Sequence, residues 1–108
     1  MPKYLIQASY NAEGLKGLQK DKASGRKAAA SRAVESLGGK LESFYCALGA
    51  DDVITIVDLP DHVSAAALSV TVSASGLVHS RTTALLTVEE ADKALAKSVS
   101  YKAPGRRR

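Results

Sequence analysis

Four side chains of this sequence could form a binding constellation: Gln7, Tyr45, His79 and Arg81. Arg81 is a fixed cation whose planar donors suit a carboxylate or a phosphate. If the first and last strands lie side by side, Gln7 and Arg81 become neighbours on one face. Such a cluster could line a cavity between a sheet and a partner and take a small anionic molecule. The plainer alternative puts Arg81 and His79 on an exposed edge strand, or pairs Arg81 with Glu42 across an oligomer.

Other chemistry finds no support. Asp51 and Asp52 are adjacent, so they point to opposite sides and cannot share a proton readily. Asp58 and Asp61 flank Pro60 and read as a strand end and a helix cap. His62 and His79 fall in different elements, and two candidate ligands fall short of the three or four of a metal site. The run GLKG at 14–17 has the wrong spacing for a phosphate loop. Cys46 is the one cysteine, which excludes an internal disulfide and a cysteine metal cluster. With Phe44 and Leu48 on its face and no cation nearby, it reads as a small buried apolar residue. No catalytic residue, metal or cofactor is assigned.

The elements that must position these residues alternate regularly. Lys3–Tyr10 reads as a strand, with Tyr4, Ile6, Ala8 and Tyr10 on one face. Asn11 can cap a short helix over Ala12–Lys20, in which Leu15 and Leu18 face inward. Asp21–Gly25 breaks the pattern. Ser24 can cap a second helix to about Leu37, with Ala30, Ala33, Val34 and Leu37 as its inward stripe. Gly38-Gly39 stops it.

Lys40–Pro60 then reads as a hairpin around Gly49-Ala50-Asp51-Asp52. Its second arm, Ile54-Thr55-Ile56-Val57, is β-branched and apolar on both faces, as suits a central strand. Asp61 can cap a helix whose inward stripe is Val63, Ala66, Ala67, Val70 and Ala74, ending at Gly76. Leu77–Leu86 is a fourth strand. Thr87-Val88-Glu89-Glu90 is a capping box opening a last helix to about Val99, with Ala91, Leu95 and Val99 inward.

The chain has 108 residues, is 45% hydrophobic and contains no tryptophan. That is the size of one domain with a modest aliphatic core. We expect a single domain over residues 1–100 and a basic flexible tail over 101–108. The net charge of +4 belongs to that tail: Lys102, Arg106, Arg107 and Arg108 have no acidic neighbour, and the body before them is neutral. A nucleic-acid partner needs a basic surface on the fold itself, so none is expected. The cluster Lys20, Lys22, Arg26, Lys27 reads as a solvated face. No apolar run approaches the ~20 residues of a membrane span, and the N-terminus lacks a signal pattern. A cytoplasmic protein is expected.

The order β-α-β-β-α-β-α predicts an α+β fold of the ferredoxin-like type. It is a four-stranded antiparallel sheet with the two main helices on one face and a C-terminal helix added. The other face carries either Leu5, Gln7, Tyr45, Val53 and Val57 or their alternation partners, depending on register. Either set contains large apolar groups, which are seldom left in water. A second copy about a twofold axis is the simplest cover, so the expected partner is the protein itself.

Three stretches carry a resemblance: MPKYLIQASYNAEGLKGL, SLGGKLESFYCALGADDVITIVDLPD and SASGLVHSRTTALLTVEE. Together they resemble the bacterial GYD domain family over roughly residues 2–101, most specifically in the hairpin and in Arg81-Thr82-Thr83-Ala84-Leu85-Leu86-Thr87. Gly49 and Asp52 match the family's turn glycine and aspartate, while Asp51 stands where its tyrosine would be. The resemblance implies a ferredoxin-like fold of the dimeric α/β-barrel type, with no established activity and no catalytic residues. Gly49 also has a plain role, since a tight turn needs a residue tolerant of positive φ. Asp52 can accept backbone hydrogen bonds at the same turn.

Together these features give a small oligomeric α/β module, non-enzymatic, that binds a ligand or builds an assembly. The alternative, by fold analogy, is a cofactor-free enzyme acting on a small organic acid or quinone-like substrate in a sheet-face cavity.

Overall fold

Two central strands, each apolar on the side that meets the helices, set the architecture. A computed structural model describes residues 1–106. The order is β1 (Lys3–Tyr10), α1 (Ala12–Ser36), β2 (Lys40–Cys46), β3 (Val53–Asp58), α2 (His62–Ala74), β4 (Val78–Leu85) and α3 (Val88–Leu95). The strands form one antiparallel sheet in the order β2-β3-β1-β4. This is an α+β fold with an open four-stranded sheet, consistent with the ferredoxin-like arrangement. Arg107 and Arg108, half of the basic charge expected of the tail, lie outside the described residues.

Register fixes what each face carries. Tyr4 lies opposite Val57, Ile6 opposite Thr55 and Ala8 opposite Val53. These six side chains point to the helices. Tyr4, Val57, Leu59, Val34 and Ala65 form the buried core, with Ile6, Leu37, Leu41 and Leu68 packed against it. The open face therefore holds Leu5 and Gln7 with Ile54 and Ile56 beside them. Val53 and Val57, expected there with Leu5, Gln7 and Tyr45, belong to the helix side. Side chains alternate along a strand, and β1 pairing gives Val57 the parity of Tyr4.

Helix starts are governed by local hydrogen bonds, and three of the four expected caps are present; Ser24, the fourth, lies inside α1 in helical backbone. The Asn11 side-chain Oδ1 accepts from Gly14 N at 2.9 Å. Asp61 accepts from Ser64 N at 2.8 Å. Thr87 and Glu90 form the reciprocal capping box. Gly14 is required by close approach: a Cβ there would stand 2.5 Å from the Leu77 carbonyl oxygen. The two expected N-terminal helices lie end to end within the span of α1, broken at Lys22 (φ 65°, ψ 166°), inside the expected break at Asp21–Gly25. The non-helical backbone is confined to that residue. Positive φ in a non-glycine residue is a strained conformation, costing about 1–3 kcal/mol.

Four expectations about burial are corrected. The inward side of α2 is Ala65, Leu68, Ser69 and Val72. The expected stripe Val63, Ala66, Ala67, Val70 and Ala74 faces outward, with Val63 78% exposed. Both stripes are apolar at helical spacing, and the angle at which the chain leaves β3 chose between them. Leu15 is exposed, because α1 meets the sheet chiefly through Ala30, Ala33 and Val34. Cys46 is exposed at the end of edge strand β2. Lastly, α3 ends at Leu95, and Leu95 and Val99 are exposed, not inward.

That last helix changes the shape of the molecule. The radius of gyration is 17.4 Å and the principal extents are 60 × 31 × 23 Å. A compact chain of this length would have a radius near 13 Å. The segment after β4 projects as an arm, with Leu86, Val88, Leu95, Val99 and Tyr101 all exposed.

Candidate functional site

Gln7 and Arg81 lie directly opposite one another on β1 and β4, as the strand order requires. What joins them is a residue from elsewhere. The Asp51 carboxylate, on the β2–β3 connection, accepts from Arg81 Nη2 at 2.9 Å and from Gln7 Nε2 at 3.2 Å. Ser9 Oγ adds a longer contact at 3.4 Å.

The connection reaches this place through its backbone. Asp52 N donates to the Ala8 carbonyl oxygen at 2.8 Å, and Ala47 N donates to the Asp52 carbonyl oxygen at 2.8 Å. Ser9 Oγ donates to the Ala50 carbonyl oxygen at 3.0 Å. The Asp52 side chain accepts from Tyr10 N at 2.8 Å. Its carboxylate thus secures the end of β1, where a bond within its own turn was expected. Gly49 adopts φ 135°, a conformation open to glycine. Asp51 and Asp52 do point to opposite sides, as adjacent residues in extended chain must.

The expected four-residue constellation therefore comes together only in part. Gln7 and Arg81 meet. His79 lies opposite Ser9 and borders a groove of about 400 Å³ with Asn11, Ser73 and Leu77. Tyr45 is on the far edge strand, opposite Ile54, which is itself opposite Gln7. Two strand spacings, about 10 Å, separate Tyr45 from Gln7. Arg81 sits on an edge strand with its side chain 60% exposed, against 14% for Asp51. Glu42, the other partner considered for Arg81, is held by Lys3 of its own chain at 2.6 Å.

Asp51 and Ser9 are the members that sequence reading missed. A signal existed, since pairing Ala8 with Val53 places the residues just before Val53 beyond Ala8, beside Ser9. Chemically the cluster is a clamp. Its carboxylate neutralises the Arg81 guanidinium.

A second polar group closes the opposite end of the open face. Lys3 Nζ contacts Glu42 at 2.6 Å and Asp58 at 2.9 Å. The hydrogen bond to Glu42, then that to Asp58, holds the Lys3 amine above its ordinary range. On the helix side, the Tyr4 hydroxyl and His62 Nδ1 share a hydrogen bond of 2.6 Å. Their rings pack edge to face at 5.7 Å. Among the described residues no cluster of three or more His, Cys, Asp or Glu side chains could hold a metal ion. No helix among them is long and apolar enough to cross a membrane.

Comparison with curated proteins and with solved structures finds no match. The family model of the GYD domain matches residues 4–95, from the first strand to the end of α3. The match takes in the sheet, the Asp51 connection and the capping box, and the chain belongs to the GYD domain family.

Proposed function

We propose that this domain is a non-enzymatic assembly module whose open sheet face packs on that of a second copy, as in dimeric α/β barrels. The supporting observation is the composition of that face. Its middle is apolar, with Leu5, Ile54 and Ile56 side by side on the two central strands. Its charges lie toward the ends and are already paired within the chain, Lys3 with Asp58 and Glu42, and Arg81 with Asp51. A face that is apolar in the centre, with its charges held in ion pairs at the rim, presents few free charges to its own copy. The Asp51 carboxylate already neutralises Arg81, so a small anion there would meet a charge that is paired. That weighs against an anion site there, and against a sheet-face active site built on Arg81 and His79. A reducing, cytoplasmic setting suits the exposed lone thiol of Cys46.

The test is the oligomeric state by sedimentation at micromolar concentration. Wild type should be at least a dimer. Ile54→Lys, a change on the open face, should give a folded monomer with an unchanged far-ultraviolet circular dichroism spectrum. A monomeric wild type would overturn the reading.

A further inference from the structure

The helix side of the sheet holds an apolar cavity of about 140 Å³ between β1, β3, α1 and α2. It exists because the residues around it are short. Ala30 and Ala33 of α1 face Ala8 of β1, with Ser69 of α2 nearby. Side chains of ordinary core size at these places would fill it. A dry apolar cavity of about this volume accepts a benzene-sized molecule. Phe44, Val53 and Leu68 supply an apolar lining.

The charge distribution around the cavity is one-sided. Arg26 is the one charged residue among the side chains that line it, and no carboxylate is among them. Its side chain is 36% exposed, so it stands at the opening. Among the described residues its ion-pair contact is with Asp21, just before the Lys22 break, and is long at 3.5 Å. The Lys22 kink lies one turn before it. Tyr10, Ser69 and Ser80 also bring hydroxyl-bearing side chains to the lining. Tyr10, Arg26 and Val78 also line a neighbouring groove of about 280 Å³, which gives a route from solvent.

We infer that this cavity is a binding site for a small aromatic or branched aliphatic carboxylic acid. The apolar body sits between α1, α2 and the sheet, and the carboxylate meets the Arg26 guanidinium at the mouth. A guanidinium matches a carboxylate in both charge and planar geometry. A neutral hydrocarbon would leave Arg26 unused, and an ammonium would be repelled by it. This site is on the side of the sheet away from the proposed self-association face, so either inference can fail without the other.

Benzoate is the probe, with toluene and benzylamine as neutral and cationic controls of similar size. Binding is followed on the full chain by nuclear magnetic resonance, through the Val53 and Leu68 methyls and the Phe44 ring. Benzoate should shift these signals saturably at millimolar concentration, and benzylamine should not. Arg26→Gln, at the surface, should weaken benzoate about tenfold or more while leaving toluene unaffected. Ala33→Leu, which fills the cavity, should abolish both, with its fold checked by thermal unfolding. The inference is overturned if benzoate leaves those signals unmoved. It is also overturned if Arg26→Gln binds benzoate as wild type does, since the cavity would then be an apolar void without acid preference. Should Ala33→Leu misfold, the Arg26→Gln comparison decides alone.

Discussion

Asp51 and Arg81 are thirty residues apart in the chain and 2.9 Å apart in the structure. Their contact ties the β2–β3 connection to the edge strand β4, across the end of β1. With Gln7 and Ser9 it forms a clamp on the open face.

Removing the carboxylate should cost more than removing the cation. Asp51 is largely covered and accepts from three side chains, so Asp51→Ala should destabilise the fold by roughly 1–2 kcal/mol. Arg81 is mostly exposed, and Arg81→Ala should cost about 0.2–1 kcal/mol. Urea unfolding of both variants and of the double variant gives the coupling. Additive costs would mean that the ion pair carries no energy of its own, and equal single costs would overturn the expected order.

The exposed arm should contribute to assembly. Four strands at their usual spacing, about 19 Å across, and eight residues along, about 26 Å, give a flat footprint below the ~800 Å² per partner of a standard interface. Exposed apolar residues on α3 and beyond it can supply the remainder. Deleting residues 88–108 should weaken self-association at least tenfold in sedimentation, with the sheet intact by circular dichroism. Unchanged association would assign the arm another role.

Acid should unwind α3 before it touches the core. Thr87 N–H donates to the Glu90 carboxylate and holds its pKa below the ordinary value. The Ser64 backbone N–H does the same for Asp61. A carboxyl whose folded pKa is depressed stabilises above its unfolded pKa, and that contribution is lost as pH falls through the folded one. Helical ellipticity should therefore decline as pH drops through the carboxylate range. Glu90→Gln cannot titrate, so it should flatten part of that decline. Thr87→Ala should cost about 0.5–2 kcal/mol of α3 stability at neutral pH.

Tyr4 is 2% exposed and its hydroxyl is bonded to His62. Tyr4→Phe keeps the packing and removes only that bond, for an expected loss of about 1 kcal/mol. Tyr4→Ala also opens a cavity and should cost about 3–5 kcal/mol. Thermal unfolding separates the two. If Tyr4→Phe proves as severe as Tyr4→Ala, the hydrogen bond outweighs the packing.

What could be read from the chain was mostly local. Caps at Asn11, Asp61 and Thr87 depend on residues three or four apart, and strand limits on an alternation visible within eight positions. Strand order followed from the order of elements and the handedness of crossovers, which is why Gln7 and Arg81 could be paired in advance. Burial of the helices was another matter. Both sides of α2 are apolar at the right spacing, so periodicity could not select Ala65 and Leu68 over Val63 and Val70.

Sequence alone thus determined the elements, their order and the Gln7–Arg81 pairing, because those rest on short-range periodicity and a few chain-wide rules. Only the tertiary structure decided that Asp51 completes the cluster, that Val53 and Val57 belong to the core, and that α3 stands clear of the body. Each of those depends on where distant backbone segments come to rest, and many side-chain patterns are compatible with more than one such resting place.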